Sequence, residues 1–274
     1  VLTEVRGGGL PLAFSRRTQA RERHAAASVS TPYGPVVQTV TLPVRGGDVT
    51  LPVQAPLPML YEAAKRKPFA DLLTKALARA PGTAARPWSL ILYSDEVTPG
   101  NALKPDNKRK IQSVYWSFKE LGSAALCHTD LWFTVAAVRS TLVQELDGGM
   151  SHLFKVLLPL FFGHCGHDLA TAGVCLQLPG RHQMLHARFA CMVSDESAIK
   201  QVLLAKGASG MKPCVCCKNV VAQSSGLAAH DAAGYIVPVA SVEEHRWDPQ
   251  TDASVLAILR RLDNARQHLR PIEF

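Results

Sequence analysis

The sequence predicts an α/β domain: a mixed sheet flanked by helices, with a small cysteine-containing insertion. Three observations predict it. Apolar or alternating runs follow one another from Trp88, at 89–93, 110–118 and 131–138, and short links between successive strands favour an antiparallel meander. Apolar spacing then becomes helical over 141–162,. A later apolar run, 185–193, ends at Ser194-Asp195 and passes directly into a helical pattern over 197–205.

The elements can be justified in order. Residues 1–50 are rich in Gly, Arg, Ser, Ala and Pro and lack periodicity. Arg16, Arg17, Arg21 and Arg23 cluster there, as a solvated tail or as an arm that contacts phosphates. Residues 40–53 alternate around Gly46-Gly47-Asp48, a hairpin pattern. Leu60, Ala63, Phe69, Leu72, Leu73 and Leu77 recur at helical spacing over 56–80, and Pro81-Gly82 ends that helix. SLILY at 89–93 suits a buried strand, and 110–118 alternates around Ile111, Val114, Trp116 and Phe118. Gly148-Gly149 weaken or break the helix over 141–162. Residues 172–178 and 185–193 read as a strand pair around Pro179-Gly180-Arg181. Over 253–269 an amphipathic helix is expected, with Leu256, Leu259 and Leu262 inside and Arg260, Arg261, Arg266 and Arg270 outside. The organisation expected is a basic, partly disordered segment 1–55, a helical lead-in 56–87, a core 88–210, a cysteine-containing insertion 211–250 and a C-terminal helix 251–274.

Composition narrows the function classes. Apolar residues make up 47% of the 274, ample for a packed core. The most apolar stretch, 156–162, falls far short of the roughly 20 residues that cross a bilayer, so a soluble protein without a membrane partner is expected. The chain opens on Val1 without a secretory pattern and reads as a piece of a longer protein. A net charge of +8 favours an anionic partner, nucleic acid being the commonest, although a surplus for solubility explains it too. Seven cysteines, four of them scattered singly, suit a reducing compartment better than a disulfide framework.

Two aspartates stand out. Asp95 and Asp195 each end an apolar strand, each inside the tripeptide Ser-Asp-Glu. An acid on a buried strand is costly unless it is paired, hydrogen-bonded or bound to a metal. Adjacent strands would bring the two together as an oxygen-rich site for Mg²⁺ or Mn²⁺. The competing reading is local: Asp caps helices and makes turns after strands, and Asp195 precedes a helix. A second candidate is Cys214-Val215-Cys216-Cys217, whose Cys214 and Cys217 spacing lets two thiolates grip one Zn²⁺. His230 and His245 are the downstream ligand candidates, Cys216 is a competitor, and idle thiols are the alternative. Lys104, Lys108, Arg109 and Lys110 form a basic run after Asp95, either a solvated turn or a phosphate contact. His164, His167, His182 and His186 read as surface or satisfied polar groups, and Trp116 and Trp132 as core, with base-stacking platforms the alternative.

Two stretches resemble a known family. Residues 90–122 (LILYSDEVTPGNALKPDNKRKIQSVYWSFKELG) resemble the first catalytic block of eukaryotic cut-and-paste DNA transposases of the CACTA, Plavaka and Kyakuja–Dileera–Zisupton groups. Residues 191–219 (CMVSDESAIKQVLLAKGASGMKPCVCCKN) resemble their second block, in the same order. The resemblance implies a ribonuclease H-like core over about 88–220, with Asp95 and Asp195 as the first and second metal-binding aspartates. It also makes Cys214 and Cys217 the paired cysteines of a knuckle-like insertion. A third acid on a later helix is implied; Glu243, Glu244, Asp252, Asp263 and Glu273 are acidic, and none sits in a recognisable motif. The activity implied is metal-dependent cleavage and strand transfer on DNA in the nucleus, by copies assembled on transposon ends. Two alternatives stay open: an inactive transposase-derived nucleic-acid-binding module, and a zinc-stabilised interaction domain.

Overall fold

The computed structural model describes residues 28–98, 109–146, 148–164, 167–203, 210–241 and 243–251, together with Ala25, Ala253, Ser254 and Ala257. Expectations for 1–24, for Lys104 and Lys108, and for the helix over 253–269 lie outside the described residues, apart from those last three positions.

The chain enters through a hairpin, β1 (Val37–Val44) and β2 (Gly47–Gln54), paired in register around Arg45-Gly46. Gly47 holds φ at +123°, a region other residues rarely adopt. Leu42, Leu51 and Val53 face the core. Two helices follow, α1 (Pro56–Ala64) and α2 (Lys67–Arg79), where the spacing alone predicts one. Pro68 explains the break: it lacks an N–H, and its ring would strike the carbonyl four residues back in a continuous helix. It is instead tolerated at the start of α2,.

A four-stranded mixed sheet forms the centre. Strand β3 (Trp88–Val97) runs antiparallel to β4 (Ile111–Phe118), which runs antiparallel to β5 (Phe133–Arg139). On the other side of β3 lies β8 (Ala187–Val193), parallel to it, so the order is β5-β4-β3-β8. Between β5 and β8 come α3 (Ser140–Glu145), α4 (Gly149–Leu157), a turn at Pro159–Phe162, and a hairpin of β6 (Val174–Leu178) and β7 (Arg181–Leu185). The helical stretch over 141–162 is broken at Gly148-Gly149, as its glycines lead one to expect, with Gly149 at φ +51° starting α4.

The expected strand 185–193 is two strands. Leu185 closes the hairpin, and β8 begins only at Ala187. His186 turns its N–H to Gly82 O (2.7 Å) and its carbonyl to Trp88 N (2.8 Å), which transfers the chain from the hairpin to the sheet. After β8, Asp195 opens α5 (Glu196–Leu203), which packs against α4.

One face of the sheet carries the core. Trp88, Leu90, Leu92, Val114, Trp116 and Phe118 are buried among side chains of α1, α2 and α4. Trp116 packs edge-on to Phe161 with centroids 5.6 Å apart, and the Trp88 indole N–H donates to Ala80 O at 2.7 Å. Residues 210–251 form a loop-rich unit around two short parallel strands, β9 (Val220–Val221) and β10 (Val237–Pro238). Its centre is Asn219, 2% exposed, which donates to the carbonyls of Tyr235 and Arg246 and accepts from Asp248 N, each at 2.8 Å. No helix among the described residues is long and apolar enough to cross a membrane.

Candidate functional site

The parallel pairing of β3 and β8 aligns the two Ser-Asp-Glu tripeptides. Tyr93 pairs with Val193, the last rung of the ladder. One residue further, a side chain takes over: Ser194 Oγ donates to Ser94 O at 2.8 Å and accepts from Ser94 N at 3.3 Å. Asp95 does not end its strand as expected, because β3 continues in pairing with β4 to Val97; Asp195 lies two positions past the end of β8, and neighbouring strands lie ~4.8 Å apart.

Their local roles differ. Asp95 is half-buried on the sheet face away from the helices, opposite Ser113, and its Oδ2 accepts from the Tyr93 hydroxyl at 3.1 Å. Asp195 is exposed, and its Oδ1 accepts from Ala198 N at 2.7 Å. This is an N-cap, so the local reading of Asp195 holds whatever else it does. Both carboxylates act on Tyr93. Its phenol is pushed above the ordinary tyrosine range first by burial, then by the hydrogen bond and charge of Asp95, with Asp195 adding its charge.

Glu96 takes a separate path. It points opposite to Asp95 and accepts from Lys110 Nζ (2.6 Å), Gln112 Nε2 (2.9 Å) and Ser140 Oγ (3.0 Å). The Lys110 hydrogen bond does most to hold its carboxyl below the usual range, against the opposing effect of burial. Of the basic run, Lys110 is thus occupied by Glu96, and Arg109 is exposed.

The cysteine pair comes together without the expected histidine. Cys217 is buried, Cys214 half-buried and Cys216 exposed. Burial, and then the Cys214 thiol hydrogen-bonded to it, push the Cys217 thiol up to about 11. His230 and His245 are exposed on separate short 3-10 turns. Among the described residues no group of three His, Cys, Asp or Glu is arranged to hold a metal ion, at the aspartates or at the cysteines. Of the acids considered as a third carboxylate, Glu243 is ion-paired to Arg246 and Glu244 is exposed; Asp252, Asp263 and Glu273 lie outside the described residues.

Against known proteins, the chain matches no family model and no curated protein.

Beside Asp95 the expectation of a core position holds for one of the two tryptophans and not for the other. Trp116 is core, as expected, but Trp132 is half-buried and lines an outer cavity with Ile91, Tyr93, Asp95, Tyr115 and Val193. The available signal was parity: Ile91, Tyr93 and Asp95 alternate, so they share a face.

Proposed function

We propose that the chain carries the ribonuclease H-like core of a DDE-type DNA transposase, with Asp95 and Asp195 as two carboxylates that bind Mg²⁺ or Mn²⁺. The observation that carries this reading is the in-register placement of the two Ser-Asp-Glu ends on neighbouring parallel strands. The strand order supports the fold: a three-strand meander, then helices, then a fourth strand parallel to the first and beside it.

The donor chemistry suits the ions, since carboxylate oxygens are the ligands that Mg²⁺ and Mn²⁺ take. Tyr93 engages one oxygen of Asp95, and the helix cap engages one oxygen of Asp195. A carboxylate accepts at both oxygens, so these contacts orient each group and leave it able to bind a metal. Such ions, held by Asp95 and Asp195, would supply activation of a water or hydroxyl and charge stabilisation of the leaving oxygen in phosphoryl transfer. The protein's part is to hold Asp95 on a rigid strand and Asp195 on a capped helix start. Exposed Arg109 supplies a cation for the DNA backbone,. In this reading the partners are DNA and further copies of the chain on transposon ends, and the place of action is the nucleus.

The contact between Cys214 and Cys217 favours a second role for the insertion, a zinc-stabilised knuckle, because two thiolates at this spacing suit Zn²⁺,.

The test is nicking of supercoiled plasmid in Mg²⁺ or Mn²⁺ by the wild type, Asp95→Ala and Asp195→Ala. The expected result is metal-dependent nicking that both substitutions abolish. Equal nicking by wild type and Asp95→Ala would remove Asp95 from the mechanism and leave a nucleic-acid-binding module.

A further inference from the structure

The sheet face away from the helices holds a cavity of about 580 Å³ that begins at Asp95. This is within the range of pockets that take ring-sized ligands. Three aromatic rings line it, beside the aliphatic side chains of Ile91, Val97, Leu126 and Val193. Tyr93 and Tyr115 stack with centroids 6.0 Å apart at 24°, and Trp132 tilts against Tyr93 at 5.9 Å. The Trp132 indole N–H donates to Leu126 O at 2.9 Å, which fixes the ring as part of the wall. The polar groups of the lining include the Asp95 carboxylate, the Tyr93 hydroxyl bound to it, the Tyr115 hydroxyl and Thr129.

An aliphatic occupant would set those polar groups against apolar surface, at a desolvation cost. A planar heterocycle avoids it, because its faces stack on the rings while its edges carry donors and acceptors. The chain's net charge of +8 favours a heterocycle attached to phosphates,. We infer that this cavity receives an unstacked nucleobase of a DNA strand whose backbone runs past Asp95 and Asp195. The identity of that strand rests on the transposase reading above; the aromatic cavity is an observation apart from it. Trp132, Tyr115 and Tyr93 are the stacking residues.

The experiment measures binding of two fluorescein-labelled 12-nucleotide single strands, one with bases and one with abasic tetrahydrofuran sugars, to the full chain in EDTA. Stacking of one base supports a preference of about 5- to 150-fold for the base-bearing strand. Trp132→Ala should reduce that preference towards one, and Trp132→Phe, which keeps a ring, should retain most of it. Tyr115→Leu keeps the wall apolar, carries the same expectation as Trp132→Ala, and serves as the second variant. Equal affinity of the wild type for both strands, or no binding of either, overturns the inference, as does a full preference in both variants. Because EDTA removes the metals, the two proposals fail separately. Plasmid nicking without base preference overturns only the cavity's role, and base preference without nicking overturns only the catalytic reading.

Discussion

Ser194 is the residue on which the alignment of the two aspartates depends most directly. Its hydroxyl both donates to and accepts from the backbone of Ser94, at 2.8 and 3.3 Å, immediately beyond the last rung between β3 and β8. Ser194→Ala deletes both bonds. Each is worth about 0.5–1.5 kcal/mol net, so the loss lies at about 1–3 kcal/mol. The hydroxyl is half-buried, and water replaces part of what is lost, which places the expected value at about 1–2 kcal/mol. For a chain of this size that lowers the unfolding midpoint by about 2–8 °C. Metal-dependent nicking should fall as well, since Asp195 is one residue from the lost contact. Ser194→Thr keeps the hydroxyl and should retain both properties. Thermal unfolding followed by circular dichroism, with nicking on the same samples, reads the two effects. A Ser194→Ala protein that melts and nicks like the wild type would refute the idea that this hydroxyl joins the strand ends.

Two further outcomes follow from buried side chains. Ser94 Oγ is buried and without a hydrogen-bond partner; an unsatisfied buried hydroxyl costs about 1–3 kcal/mol, so Ser94→Ala should leave the melting midpoint unchanged or raised, and a clear fall would show that the hydroxyl has a partner. Burial and the Cys214 contact raise the Cys217 thiol to about 11 from an ordinary 9.0. The folded state therefore holds this proton more tightly: its contribution is fully present below pH 9 and is lost as pH rises through about 11,. Wild type should lose more stability than Cys217→Ser across that interval, and iodoacetamide should modify exposed Cys216 before Cys217. Equal alkaline losses, or first modification at Cys217, would contradict the burial of this thiol.

What the sequence revealed followed from strong local physics. The hairpin was legible because Gly47 permits the positive φ that its turn uses, and the three meander strands because their apolar runs are short and bounded. Asp195 was legible as following a strand end, whereas β3 runs on past Asp95 because its partner β4 begins at Ile111; the common register of the two was not legible, since it arises from pairing across about a hundred residues. The split at His186 was equally invisible: the residues on both sides are apolar, and it is backbone bonds to distant Gly82, Trp88 and Leu169 that draw the chain out of the hairpin. Trp132 looked like core because LWFTVAAV is nearly all apolar, and such a run does not say which face a ring takes. The short strand pair and the Asn219 centre of the insertion had no periodic signal, because they depend on three side-chain hydrogen bonds rather than on an apolar stripe.

The central claim is that Asp95 and Asp195 jointly hold a divalent ion, and Mn²⁺ binding followed by electron paramagnetic resonance tests it without requiring DNA or turnover. The account predicts that the wild type removes free Mn²⁺ from solution, that Asp95→Asn and Asp195→Asn each weaken this binding, and that the double variant loses less than the sum of the two single losses. Mn²⁺ binding of equal strength in the wild type and both single variants would contradict it.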